Sequence, residues 1–565
     1  VKPFEPQRMQ IDDADFQLTK AISKGLLIVG AVAAVTTLFA IVWSYFPIFH
    51  GDYEQIFRRA TQLKHHEISA YDFVFRRQID HPHFLVFALA YVDTFALGGY
   101  GYLLYGAMAA FSAVALLVLV TSARSSVPDS HAQSALIGVG IFLLFGPQNV
   151  GVLSLPFQVT LIGTASLVFA GSYLLTSSGS LPRTIAATVA LGVGVISHGA
   201  GVLSLPILAA YGLFKRQPRY LIVAAILAGE FALYSASYPA TPQIGMGALF
   251  LKAVHAPLDW IAIPLYIAYL LGHGITQAHL GPVTDVLVGT VGLVMFAAIL
   301  LRTTRKPKAG DHWLLMATFG LVACAISVTL NIAYSDLRHP TSGLSYYFAD
   351  RYLPWIAFFW LGTLCSVVTN WPTQKNVAII ASALIAMALL VGSFSTLQRL
   401  SVNREAREDL ILNFGCQTKL SACTISHAVG LPPLHARQWS SDVFDWQRQV
   451  GAFHIKSPAA CSGGATWPAK RHSSDEKTIT LQAVDFSDAN WERGILRARA
   501  GFFVQDPTGV SELHECDTVK FADGTTREIT AIDGRNVYLD GEALDPKTTG
   551  FPARIEVTAF APLDP

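Results

Sequence analysis

The sequence predicts a polytopic α-helical membrane domain followed by a smaller β-rich domain, and three observations carry that prediction. The 565 residues are 52% hydrophobic and only 14% charged, with a mean hydropathy of +0.43, a balance outside the range of ordinary soluble domains. Apolar runs long enough to cross a bilayer, which takes roughly 17–25 residues, recur between Gly25 and Thr396. From about Arg399 they stop, and short alternating segments between turn dipeptides take over. The lipid bilayer is therefore the first partner implied. A net charge of +1 without a basic patch gives no ground for nucleic acid as another.

Crossings are expected near 25–48, 100–122, 133–147, 158–176, 184–197, 202–214, 220–237, 283–301, 313–334, 352–371 and 376–396. The first reads as a retained membrane helix, not a cleaved leader. Two further apolar segments, Phe84 to Gly98 and Pro257 to Gly272, are each interrupted by an acid, Asp93 or Asp259. The count is thus about 11 to 13 transmembrane helices. Basic residues decide between these numbers, because cytoplasmic loops carry the excess of Lys and Arg. Eleven crossings from a cytoplasmic N-terminus put Lys20, Lys24, Arg124, Arg183, Lys215, Arg216, Arg219, Arg302 to Lys308 and Lys375 inside. Thirteen would turn Arg124, Arg183 and the Lys215 cluster outward. The two short segments are accordingly read as re-entrant or interfacial on the outer face. Either count is odd and leaves everything after Thr396 outside. The resulting division is a membrane domain over 1–398, with a long first outer loop over 50–99, and an outer domain over 399–565.

That first loop opens on His50-Gly51-Asp52-Tyr53-Glu54, a carboxylate pair at the exit of the first span in a chain poor in charge. Beyond it, Tyr53, Ile56, Phe57, Ala60 and Leu63 share one helical face, while Glu54, Arg58, Arg59 and Gln62 share the other. This pattern predicts an amphipathic helix in the membrane interface plane. Ile68 to Arg77 predicts a second such element, and Asp80-His81-Pro82-His83 leads into the apolar run from Phe84.

In the C-terminal portion, strands are expected at Thr478 to Val484, Leu496 to Val504, Thr518 to Phe521, Glu528 to Ile532, Val537 to Leu539 and Arg554 to Val557. Asp523-Gly524, Asp533-Gly534 and Asp540-Gly541 are hairpin dipeptides, so a small antiparallel domain follows. Four of the six cysteines lie there, Cys416, Cys423, Cys461 and Cys516. On an oxidising outer face they are expected to form disulfides, with three pairings open; Cys416 with Cys423 and Cys461 with Cys516 is the preferred one. Their spacing does not match a zinc site. Cys324 and Cys365 fall inside helices and read as packing residues. Trp439, Trp446, Trp467 and Trp491 are candidates for stacking on sugar rings, or for the core of this domain.

Three motifs in the membrane domain carry a resemblance. Asp80-His81-Pro82-His83-Phe84-Leu85 looks like a His-Pro-Pro-Leu motif, with His83 in place of the second proline. Gly192-Val193-Gly194-Val195-Ile196-Ser197-His198-Gly199 is similar to a Gly-x-x-x-Leu-Thr-Lys-Gly stretch, with His198 replacing the lysine. Tyr347-Phe348-Ala349-Asp350-Arg351-Tyr352-Leu353-Pro354 resembles a Lys/Arg-x-x-Tyr-Leu-x-Pro segment. Together with the acid just past the first span, they give the layout of GT-C glycosyltransferases. Within that superfamily the pattern resembles the protein O-mannosyltransferase and lipid A aminoarabinose transferase family.

The resemblance implies a sugar donor linked to polyprenyl phosphate and a glycan, lipid or protein acceptor. It implies inversion by a single displacement. Asp52 would be the general base, with Glu54 beside it. Arg351 with Tyr352, and then Arg338, His339, Arg77, His81 and His198, are the candidates for holding the donor phosphate, because Arg grips phosphate oxygens bidentately. No cofactor is implied. Many relatives carry a second acid in the next outer loop, but Pro147 to Gln158 contains none and Gln158 stands in its place. A divalent metal clamped by two carboxylates therefore loses support. Each candidate also has a structural reading: Asp52 as a helix N-cap, Arg351 as a snorkelling anchor, His198 as a helix terminus. Glu230, an acid inside a span, predicts a face turned to the bundle interior. A bacterial inner membrane with a periplasmic C-terminal domain is the expected location. A transporter or a non-enzymatic envelope scaffold are the alternatives; the first lacks a visible repeat, and the second leaves the long first loop unexplained.

Overall fold

A computed structural model describes residues 6–43, 54–77, 82–99, 101–153, 155–238, 259–276, 281–304, 308, 310–338 and 352–393 of the helical part. Of the C-terminal part it describes 478–484, 500–504, 518–521, 524, 526–533, 536–539 and 553–558. The chain divides into two compact units, one of Val1–Phe49 with Gln62–Leu397 and one of His50–Thr61 with Gln398–Pro565.

The helices run in the order α1 (Pro6–Trp43), α2 (Glu54–Lys64), α3 (Ala70–Phe75), α4 (Phe84–Ala96), α5 (Tyr102–Ser126), α6 (Ser130–Phe145), α7 (Val150–Leu153) and α8 (Val159–Ser177). They continue with α9 (Leu181–Ser197), α10 (Ser204–Lys215), α11 (Pro218–Ser237), α12 (Asp259–Thr276), α13 (Pro282–Arg302), α14 (Asp311–Arg338), α15 (Leu353–Asn370) and α16 (375–393). Among the described residues, nine helices are long and apolar enough to cross a membrane. The helices over Leu181–Ser197 and Gly199–Lys215 are shorter and bring the expected crossings to eleven. The apolar parts of α4, Phe84–Ala96, and of α12, Ile263–Thr276, are also short, below the roughly 20 residues a crossing needs.

Apolar side chains point both inward and outward, as a bilayer demands. On α1, Ile28, Val32, Val35 and Phe39 are exposed while Leu26, Ala33, Ala40 and the hydroxyls of Ser23 and Thr37 face the bundle. The two hydroxyls return to the carbonyls of Thr19 and Ala33 at 2.8 Å, which satisfies both within the helix. By contrast, α8 and α15 are buried nearly all round and form the centre. Without a hydrophobic drive between helices in lipid, small residues set the close approaches. A Cβ at Gly138 of α6 would lie 2.5 Å from the Leu26 carbonyl of α1, and one at Gly362 of α15 would lie 2.5 Å from the Trp313 carbonyl of α14.

Two local predictions of the first loop fare differently. Residues 68–77 do form an element, α3, opened by a capping box in which Ser69 Oγ accepts the Asp72 N–H at 3.0 Å and the Asp72 carboxylate accepts the Ser69 N–H at 3.1 Å. Hydrogen bonding from the Ser69 side chain, then from its backbone, holds the Asp72 carboxyl below its ordinary range. On α2, the face expected to lie on the membrane is instead covered by protein: Ile56, Phe57 and Ala60 are fully buried. Arg59, placed on the polar face by periodicity, is buried with them. The approximate 100° step leaves Arg59 at the edge of the apolar stripe, and packing of that stripe covers it.

Taken by itself, the C-terminal unit contains a closed antiparallel barrel of β1 (Thr478–Val484), β2 (Ala500–Val504), β3 (Thr518–Lys520), β4 (Thr526–Asp533), β5 (Asn536–Leu539) and β6 (Ala553–Thr558), ordered β1-β2-β5-β4-β3-β6. Closure leaves no free edge. The β3–β4 hairpin turns at Gly524, whose φ of +83° suits the predicted Asp-Gly turn. Val519, Ile529, Val537 and Leu539 are buried on their strands. The cysteine pairings and the four tryptophans of this unit lie outside the described residues.

Candidate functional site

Two of the three resembling motifs, and the residue just beyond the third, meet at one end of the helical bundle. His83 immediately precedes α4, with φ −139° and ψ 36°, and its side chain makes no cap hydrogen bond to the helix. Its ring instead lies 6.1 Å from that of His198 and 5.4 Å from that of Phe157, centroid to centroid. His198 in turn lies 6.1 Å from Trp355, in the first turn of α15. Phe87, one turn into α4, closes the group at 6.1 Å from Phe157. His83, Phe87, Phe157 and Trp355 are buried, and His198 is half-buried. Tyr352, the N-cap of α15, is buried beside this turn of the helix.

Local backbone chemistry fixes His198 in place. Its residue breaks α9 with an extended φ of −157° and starts a 3-10 turn over Gly199–Leu203. Nδ1 accepts the Ala200 N–H at 3.1 Å, so in the neutral ring the proton belongs on Nε2. The turn folds back so closely that a Cβ on Gly201 would sit 2.1 Å from the Gly194 carbonyl. Only glycine fits at position 201, just past the motif. Thr160 Oγ1, at the start of α8, donates to the Ser197 carbonyl and ties the end of α9 to its neighbour.

The loop that lacks the second acid is built from amides. Gln148 Nε2 donates to the Phe142 carbonyl at 2.7 Å and Asn149 Nδ2 to that of Leu143 at 2.9 Å, satisfying the last turn of α6. Gln158 is the N-cap residue of α8. Among the described residues no three His, Cys, Asp or Glu side chains converge.

Arg77, a candidate for the donor phosphate, is docked on α11. Its Nη2 donates to Ser235 Oγ at 2.6 Å, and its guanidinium lies 5.2 Å from the Tyr234 ring and 5.7 Å from that of Phe231. Glu54 lies in α2 and Arg338 at the end of α14, their side chains outside the described residues. Asp52, His81, His339, Arg351 and the four outer cysteines also lie outside them. Glu230 turns toward α9, where a Cβ on Gly192 would lie 2.5 Å from its Oε2.

Three further features had no role assigned from sequence, where Asp93 stood only as the acid interrupting an apolar run. The carboxylate of Asp93, buried near the end of α4, accepts the N–H groups of Gly101 at 2.7 Å and Leu103 at 2.9 Å and so caps α5. Buried Asp285 of α13 accepts from His273 Nδ1 of α12 at 2.8 Å and from Thr276 Oγ1. Trp355 entered no motif, although it directly follows one. An acid within an apolar run was the available signal for both aspartates; the histidine partner was not legible.

The bundle and the site define a multi-pass helical membrane protein with a histidine- and aromatic-lined polar cluster at one end. The chain is similar to two crystal structures of ArnT from Cupriavidus metallidurans. One is bound to undecaprenyl phosphate (TM-score 0.39, 13% identity, covering 91% of this chain and 98% of that one), and the other is in the apo state (TM-score 0.33, 14% identity, covering 91% and 97%). No protein-family model and no curated protein sequence matches it.

Proposed function

We propose that the chain is a GT-C membrane glycosyltransferase that moves a sugar from a polyprenyl phosphate donor to a glycan, lipid or protein acceptor on the outer face of the membrane. The observation that carries this reading is the meeting of His83, His198 and Trp355. His83 and His198 belong to two family-like motifs far apart in sequence, and Trp355 directly follows the third.

In this reading the acceptor hydroxyl loses its proton to Asp52 as its oxygen bonds to the anomeric carbon, and the bond from that carbon to the phosphate oxygen breaks. The polyprenyl phosphate departs with one more negative charge, which Arg351 and the Nε2–H of His198 stabilise. A phosphate is already a good leaving group, so positioning and charge stabilisation are the main tasks, and the reaction inverts without a two-carboxylate metal clamp. The support for Asp52 and Arg351 is their place in the resembling sequence layout.

Asp52→Asn in the full-length protein tests the assignment. Transfer from a polyprenyl phosphate sugar, measured in vitro with radiolabelled donor, is expected to fall by about 10²–10⁴-fold, with thermal unfolding unchanged. Transfer near the parent rate would remove Asp52 as the base.

A further inference from the structure

At the opposite end of α15, about 21 Å from Trp355 at 1.5 Å per residue, a cleft of about 150 Å³ opens among Ser126, Thr303, Lys308, Asp311, Ser366 and Asn370. We propose that this cleft binds a phosphate group, presented by an anionic phospholipid headgroup or by a soluble phosphate. It is the end that the Lys and Arg distribution assigns to the cytoplasm.

Charge accounting favours an anion. The charge of Asp311 is already met within the protein: its Oδ2 receives Lys215 Nζ at 2.9 Å, Tyr211 OH at 2.6 Å and the Lys308 backbone N–H at 2.8 Å. Lys215 compensates it inside the protein. The Lys308 ammonium is exposed and, among the described residues, meets the neutral Oδ1 of Asn370 at 3.1 Å and no carboxylate. One uncompensated positive charge therefore stands at the rim. A general excess of cytoplasmic lysine would explain that charge but not the cleft floor. There Ser366 Oγ is buried, 1% exposed, with no hydrogen-bond partner among the described residues, a costly state unless a ligand or water meets it. The cleft also lies at the start of α14, a helix of 28 residues whose positive dipole end adds to the charge of Lys308, although the Asp311 and Trp313 N–H groups are taken by the Lys308 and Gly310 carbonyls. Beside it, Leu301 is 91% exposed and Arg302 covers the Trp371 ring at 5.3 Å, an apolar and basic rim suited to a headgroup.

The test uses the full chain in nanodiscs. In discs of equal phosphatidylcholine and phosphatidylglycerol, native mass spectrometry is expected to show phosphatidylglycerol retained about tenfold more by the parent than by Lys308→Glu. Lys308→Arg should restore retention, and Ser366→Ala should lower it by a smaller factor. Should retention be equal while inorganic phosphate raises the unfolding temperature of the parent, but not of Lys308→Glu, in phosphatidylcholine discs, the soluble ion is the ligand. Equal phosphatidylglycerol retention together with equal response to inorganic phosphate would overturn the proposal.

Discussion

The two ends of α15 treat polarity in opposite ways. Near Trp355 the polar side chains among the described residues are bound to backbone: His198 on Ala200, Gln148 and Asn149 on α6. Near Asn370 they are charged and paired across elements: Lys215 with Asp311, Lys375 with Asp129. Ion pairs hold the second end to a fixed geometry. At the first end geometry comes from backbone turns and glycine contacts. A site that must receive and release a charged group cannot have its own charges already neutralised.

That contrast is broken or sharpened most strongly at Lys215. Lys215→Met should strand a buried carboxylate and cost about 3–5 kcal/mol, largely recovered by adding Asp311→Leu, as read by thermal unfolding in detergent. A single variant as stable as the parent would show that the charged end is not held by its pair. The next effect belongs to Gly289, where a Cβ would lie 1.8 Å from the Ala268 carbonyl. Gly289→Ala should push α12 from α13 at a cost of about 1–3 kcal/mol. It should also loosen the His273–Asp285 contact, detectable as faster cross-linking or exchange there.

His198 divides the two roles of one ring. Its alanine variant should lose both transfer and about 1 kcal/mol of stability, as a cap does. His198→Asn, whose Oδ1 replaces Nδ1 as the acceptor, should recover the stability but not the transfer. If asparagine restores both, Nε2 has no part in the reaction.

The smallest effect is expected at Asp129 and follows pH. Burial pushes its carboxyl up, but the hydrogen bond from Lys375, with those from the Ala132 and His131 N–H groups, outweighs it and leaves the carboxyl below its ordinary value of 3.8. A lowered folded value means stability present above pH 3.8 and lost as pH falls through the lower value. Lys375→Gln should therefore cost about 0.5 kcal/mol at neutral pH for this half-exposed pair, and the difference from the parent should vanish in acid.

Much of the fold was legible because its signals are local. Span lengths located the long helices, and alternation with Asp-Gly turns placed β1 at 478–484 and the other strands within a few residues of their observed positions. The first loop was less legible. Periodicity found α2 but assigned its apolar face to lipid and Arg59 to the polar side, because one-dimensional spacing does not say what covers a stripe. In the site, short motifs pointed to His198 and Tyr352, while His83 stood only as a proline replacement and His81 lies outside the described residues. Whether a histidine beside a proline turns into a bundle depends on the direction in which α4 leaves the loop.

By itself the sequence determined that this chain is a helical membrane bundle followed by a β-rich unit, since hydrophobic length and alternation are properties of contiguous residues. Only the tertiary structure decided that His83, His198 and Trp355 share one end, that Asp285 holds His273, and that Ser366 floors a cleft at the other end. Those meetings depend on the rotation of each helix about its axis and on how closely glycines let two backbones approach, and neither is written in any single segment.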